Sequence, residues 1–128
     1  MTRINLVDPS ELHYKHLTAE YRELPRIYEL ALQSIRPNIP DSYTLGTGYV
    51  RFFYNKLKWV IDRHIDLIHE MNHREYNPTF TIKDVHTMKR RIKEERPELF
   101  NDWSPNKDEI FTNRLRLFLR NPNTKDPP

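Results

Sequence analysis

The chain contains no cysteine, which excludes a disulfide framework and any thiolate chemistry. It also lacks long hydrophobic runs. Nothing in it resembles a signal peptide or a membrane span, so the expected location is the cytoplasm or nucleoid. No stretch alternates apolar and polar residues at the period of a strand, and no internal repeat is visible. Only two glycines occur, both in the tetrapeptide Leu45-Gly46-Thr47-Gly48. Neither sign of charge dominates: 21 Lys and Arg face 18 Asp and Glu, for a net charge of +3. That mild excess permits a nucleic-acid partner without requiring one.

What is present fits one folded domain. A chain of 128 residues buries a real core without covalent staples, and 12% aromatic residues argue against disorder. Residues 2–7 read as an extended arm. Asp8-Pro9-Ser10-Glu11 reads as a helix start, with Asp8 as cap and Pro9 in the first position. From there Leu17, Tyr21, Leu24, Tyr28, Ala31 and Ile35 form one apolar stripe at helical spacing. Arg22, Glu23 and Arg26 lie on the opposite side. Pro25 interrupts the pattern, so this helix either kinks there or is two helices. A second helix is expected to open at Leu45-Gly46-Thr47-Gly48 and to run from Val50 to Met71 over about six turns, its stripe buried against the first.

Tyr76-Asn77-Pro78-Thr79 ends that helix. Residues 82–95 predict a short surface helix, and residues 97–105 a loop pinned to the core by two aromatics. Ser104 or Asn106 caps a last helix near 107–120, with Phe111, Leu115 and Phe118 predicted inward. The reading is an all-α domain of three to four helices over residues 1–120. The tail 121–128, with three prolines and no apolar residue, is expected to be disordered.

The N-terminal stretch resembles the pyrimidine-dimer DNA glycosylases of the phage endonuclease V type. The similar text is Met1-Thr2-Arg3-Ile4-Asn5-Leu6, Ser10-Glu11-Leu12, His16-Leu17 and Ala19-Glu20-Tyr21-Arg22-Glu23-Leu24-Pro25-Arg26. A second block is Leu45-Gly46-Thr47-Gly48 with Val50 and Phe52-Phe53-Tyr54-Asn55-Lys56-Leu57, and a fainter third runs from Phe100 to Pro105. The resemblance implies a compact helical fold with the arm threaded between the two long helices. It also implies excision of the 5′ base of a cyclobutane pyrimidine dimer, then strand cleavage at the abasic sugar, on duplex DNA carrying dimers or abasic sites. No cofactor or metal is expected, and the protein is expected to act as a monomer.

By this resemblance the nucleophile is the α-amine of Thr2, exposed once Met1 is removed. An α-amino group has an unperturbed pKa of about 8, so part of it is neutral at physiological pH, whereas a lysine needs costly desolvation to match it. The amine forms an imine with C1′. Glu23 is the expected catalytic carboxylate, stabilising the cationic sugar and moving protons. Arg22 and Arg26, one turn apart, suit a phosphate backbone, and Arg3 joins them in the family. His16 is implied to face the flipped-out region or the amine. Gly46 and Gly48 either let backbone amides approach a phosphate or form a bare turn. Lys56 extends a basic surface, and Arg114 has a family counterpart as a phosphate contact.

The chain also departs from that pattern. Its tail has no aromatic residue, Phe118 stands where the family has a basic residue, and Tyr49 replaces a histidine. Catalysis by Thr2 and Glu23 is therefore better supported than dimer specificity. Two other readings stay open. His69-Glu70-Met71-Asn72-His73 matches the zinc-hydrolase pattern H-E-x-x-H, although Tyr76 and Thr79 occupy the glycine and third-histidine positions of its extended form. A helical DNA-binding module without chemistry is the other.

Overall fold

A computed structural model describes residues 4–34, 39–43 and 49–120, with the side chain of Tyr49 set aside. Four α-helices carry the fold: α1 (Tyr14–Gln33), α2 (Leu57–His73), α3 (Ile82–Glu95) and α4 (Lys107–Arg120). Three 3-10 segments join them: Pro9–Glu11, Tyr49–Asn55 and Pro97–Leu99. Among the described residues there is no strand, as an all-α reading requires. Ile35, the glycine tetrapeptide and the tail 121–128 lie outside the described residues.

The start of the first helix differs from the expectation. Asp8 does cap Pro9, accepting from the Ser10 amide at 2.9 Å, but it caps only the 3-10 turn. Leu12 is extended there and buries its side chain in the core, which stops the helix. α1 begins afresh at Tyr14, with His13 Nδ1 accepting from the Lys15 amide. It then runs unbroken for 20 residues with Pro25 inside. The proline leaves the Tyr21 carbonyl without its helical donor, a cost of about 3 kcal/mol in a helix interior. Burial of Leu24, Ile27 and Tyr28 around it offsets that cost.

The second long helix is also shorter than predicted. Residues 49–55 are 3-10, Lys56 breaks the run, and α2 starts at Leu57. Phe52, Phe53 and Tyr54 are all buried, and three consecutive aromatics cannot share one α-helical stripe. Phe52 and Phe53 are taken up by a ring cluster instead, while Tyr54 is buried outside it. The Trp103 ring lies 5.1–6.1 Å from those of Tyr43, Phe52, Phe53 and Trp59, so the 97–105 segment is pinned as expected.

α1 and α2 are packed against each other, and α3 covers α2. Left-handed backbone at Glu75 (φ 63°) and Asn77 (φ 52°) turns the chain between α2 and α3. Thr81 and Asp84 then form a capping box at the start of α3. Between α1 and α2 lies His64, fully buried, stacked on Phe80, with Nδ1 3.0 Å from the Tyr28 hydroxyl. With the proton on Nδ1, His64 donates to the Tyr28 hydroxyl and Tyr28 donates to the Val60 carbonyl at 3.4 Å, while Nε2 is buried without a partner among the described residues. Burial pushes the His64 pKa down to about 4.

α4 forms where predicted but presents a different face. Phe111, Leu115 and Phe118 point to solvent, Phe111 being 64% exposed. Ile110 and Leu117 pack on the core instead, with Asn113 fully buried between them. The helix offers two apolar stripes about a third of a turn apart. The more hydrophobic one is left out because hydrogen bonds from Asn113 set the rotation: its Oδ1 accepts from the Leu6 amide at 2.7 Å, and its Nδ2 donates to Asn5 Oδ1 at 3.0 Å.

Those bonds belong to a buried network through the arm. Asn5 Nδ2 donates to Glu20 Oε1 at 2.9 Å. Arg63 grips the same carboxylate from α2, Nε to Oε2 at 2.8 Å and Nη2 to Oε1 at 3.1 Å, and its Nη1 donates to the Val7 carbonyl. Glu20 is 0% and Arg63 6% exposed. The arm from Ile4 to Val7, buried throughout, is thus held among α1, α2 and α4.

Two outcomes follow for stability. Glu20→Ala leaves Arg63 buried and unpaired and costs about 3–5 kcal/mol in urea unfolding, while Glu20→Leu combined with Arg63→Met recovers most of that loss. His64, depressed in the folded state, adds nothing to the pH dependence above its unfolded pKa near 6.5. Below that the unfolded chain takes up the proton first, so stability falls as pH drops toward 4. The span amounts to about 3 kcal/mol, and the difference between wild-type and His64→Phe unfolding curves across that window measures it.

Candidate active site

The outer face of α1 carries the arginines and carboxylate singled out by the sequence. Arg22 is exposed, and Glu23 sits in a more sheltered position with its side chain 14% exposed. Arg26 Nη1 reaches Glu23 Oε1 at 3.3 Å while remaining 73% exposed. Helical spacing forces this arrangement: positions 23 and 26 are neighbours on the surface, and position 22 lies beside them. The pair is loose and its arginine largely solvated, so it contributes little to stability and leaves Arg26 available to a ligand.

The 3-10 helix 49–55 packs against α1 and brings Tyr54 to this face. The Tyr54 phenol is buried, which raises its pKa. Arg51 lowers it, Glu23 raises it and Arg26 lowers it, so all three charges lie within electrostatic reach of the hydroxyl. The Glu23 face therefore has a second wall, built by Arg51 and Tyr54.

Half-buried His16 lies two turns before Glu23 on α1. Its pKa is lowered, first by burial, then by the charges of His13 and Arg120. This brings the end of α4 alongside the same helix. Arg114, farther back on α4, is bound to Glu11 by two hydrogen bonds of 3.0 and 3.1 Å. Lys56 is turned inward: its ammonium donates to the Phe52 carbonyl at 3.0 Å and to Asn55 Oδ1 at 2.9 Å, and lies 3.8 Å from the centre of the Phe52 ring. Burial lowers its pKa. Thr2, Arg3, Gly46 and Gly48 lie outside the described residues.

The structure thus gathers Arg22, Glu23, Arg26 and His16 along one helix and adds Arg51 and Tyr54, which the sequence reading passed over. It also passed over Glu20, Arg63 and Asn113. A signal for the first two exists in the sequence. Glu20 falls on the apolar stripe between Leu17 and Leu24, and Arg63 falls between Val60 and Leu67. Opposite charges on two stripes expected to face one another mark a buried pair.

The zinc-hydrolase motif is arranged differently from what its chemistry needs. Glu70, the would-be base, is held by Arg74 Nε at 2.6 Å, and Arg74 also donates to the Pro9 carbonyl at 3.2 Å. His69 and His73 are exposed, and among the described residues no three His, Asp or Glu side chains converge as ligands. No helix among the described residues is long and apolar enough to cross a membrane.

Comparison with known protein families gives the class first: this is a DNA glycosylase, a DNA-repair protein whose substrate is DNA. The match is to the model for pyrimidine dimer DNA glycosylases over residues 1–84, more than half of the 128, and the chain belongs to that family. The matched segment holds the arm, α1, the 3-10 wall and α2. Most of α3 and all of α4, including Asn113 and Arg114, lie beyond it.

The solvated Glu23–Arg26 pair has a measurable consequence. Arg26→Ala should leave urea stability within about 0.5 kcal/mol of wild type. It should weaken binding to lesion-containing duplex by about tenfold, the scale of one lost charge-assisted hydrogen bond. Parallel unfolding and titration of the purified variant reads both.

Proposed function

We propose that this glycosylase excises the 5′ base of cyclobutane pyrimidine dimers through an imine on the Thr2 α-amine and then cleaves the strand as an AP lyase. The observation that carries the proposal is the position of Glu23 one helical turn beyond Glu20, the residue to which Asn5 fastens the arm. Three residues of chain span at most about 10 Å, which keeps an amine at Thr2 within reach of the Glu23 face.

The steps use few groups. Processing removes Met1 and exposes the amine. The neutral amine attacks C1′ as the glycosidic bond to the base breaks, and the departing base takes a proton. Glu23, ionised beside the reacting sugar, stabilises its cationic character. Opening of the sugar ring gives the imine and a protonated O4′. The imine acidifies C2′; Glu23 accepts a C2′ proton, and the 3′ phosphate leaves by β-elimination. Water then hydrolyses the imine and frees the amine. Arg22 and Arg26 hold the phosphate backbone, with Arg3, His16 and Arg114 as further contacts. Extrusion of a base from the kinked duplex costs a few kcal/mol, less at a distorted site, which favours lesions.

The absence of aromatics from residues 121–128 and the exposure of Phe118 favour abasic sites as substrates beside dimers. We place the active species as a monomer.

Borohydride reduction during turnover should trap the protein covalently on abasic or dimer-containing duplex. Absence of a cross-link with Met1 removed would sink the imine mechanism and leave a DNA-binding module. Glu23→Gln should retain duplex binding and lose strand cleavage by at least about a hundredfold. Unchanged cleavage would remove Glu23 from the chemistry.

A further inference from the structure

The second wall of the site holds a cation that no part of the mechanism above uses. In a 3-10 helix, side chains three residues apart eclipse one another, so Arg51 and Tyr54 share a face of the segment 49–55. That segment packs on α1, and the Tyr54 phenol feels the charges of both Glu23 and Arg26. Arg51 therefore acts on the same hydroxyl that feels Glu23 and Arg26, from a segment packed on α1.

Its bonding is unusual for this protein. Arg51 is half-buried, and its Nε is enclosed without a hydrogen-bond partner among the described residues. Arg63, Arg74, Arg91 and Arg96 are comparably or more sheltered, and each reaches a carboxylate: Glu20, Glu70, Glu29 and Glu98 respectively. Arg51 reaches none of the described carboxylates, although Glu23 is close enough to act on its neighbour. A guanidinium drawn partly out of water with no counter-ion is costly to keep. Enclosure of Nε restrains the stem, and the planar fork of an arginine suits a phosphate oxygen pair.

We propose that Arg51 is a phosphate-binding residue of the glycosylase site, supplying from the 3-10 segment a cation that grips the backbone of the damaged strand beside Glu23. The inference rests on the reading of this face as the DNA-binding site. Arg22 and Arg26 hold the strand from α1, and Arg51 holds it from the facing element. A strand gripped from two elements has its sugar fixed against the carboxylate. Because Arg51 reaches no carboxylate among the described residues, Glu23 is not neutralised by it.

The test is the salt dependence of binding to a duplex with a single tetrahydrofuran abasic analogue, compared between wild type, Arg51→Met and Arg51→Lys. A lost phosphate contact lowers the slope of log K against log salt by about 0.9. Arg51→Met should show that loss together with affinity weakened about tenfold at 0.1 M salt. Arg51→Lys should restore the slope but only part of the affinity, since it keeps the charge and loses the fork. Should the Met variant not fold, Arg51→Gln takes its place with the same expectation. A folded Met or Gln variant with the wild-type slope overturns the proposal and leaves Arg51 a packing residue. Wild-type protein with no preference for lesion over intact duplex overturns the reading of the site itself.

Discussion

The buried carboxylate of Glu20 is the point on which the structure turns. Every direction around it is filled: Arg63 from α2, Asn5 from the arm, and beyond Asn5 the side chain of Asn113 from α4. An ion pair this deep adds little net stability over a well-packed apolar pair, but it tolerates no missing partner. What it supplies is register. Asn5 is bonded at both ends of its amide, so a shift of the arm by one residue breaks a bond to α1 and another to α4. An apolar contact would permit that slide at small cost. The network explains why an extended segment lies in the core of a helical protein, and why α4 turns a polar residue inward and leaves phenylalanines in water.

The same helix that carries this anchor carries the proposed chemistry. α1 has a buried side of Leu17, Tyr21, Leu24 and Tyr28, with Glu20 set into it, and an outer side of Arg22, Glu23 and Arg26. Glu20 and Glu23 are three residues apart and differ in every physical respect. One is fully enclosed and bonded to an arginine and an asparagine; the other is near the surface in a loose pair with an exposed cation. The enclosed carboxylate holds the arm, and the outer one faces the solvent from which DNA arrives. In the catalytic proposal, the distance between them converts the anchoring of Asn5 into the delivery of an amine.

Much of this was legible in the residues. The periodicity of α1 and α2, the breaks at Tyr76–Thr79 and the bounds of α3 and α4 follow from apolar spacing and capping chemistry. The Asp8 capping signal does not reveal how long the capped segment is, and Leu12 ends it through burial that only the tertiary fold provides. Residues 49–55 read as helix by their apolar content, yet Phe52-Phe53-Tyr54 need three directions of burial at once. The rotation of α4 departs from its hydrophobic pattern because Asn113 has buried partners that a hydrophobic count cannot see. Glu23 and its arginines stood out through family resemblance, whereas Glu20, in the same matched run, was overlooked despite lying on the apolar stripe. Arg51 carried no sequence signal at all; its meaning comes from what surrounds it and what does not.

If the arm network is what brings the amine to Glu23, loosening the arm without touching the site must impair imine formation. Asn113→Ala removes the two bonds that α4 makes to Asn5 and Leu6 and leaves Arg22, Glu23 and Arg26 in place. Below its melting temperature, the folded variant should bind a lesion-containing duplex within about threefold of wild type, since the residues proposed to contact phosphate are unchanged. Its rate of borohydride-trappable imine formation in a single turnover should fall by about a hundredfold, the scale set by a displacement of about 1 Å in a reacting group. Trapping at the wild-type rate by folded Asn113→Ala would contradict the central claim that the buried network positions the nucleophile.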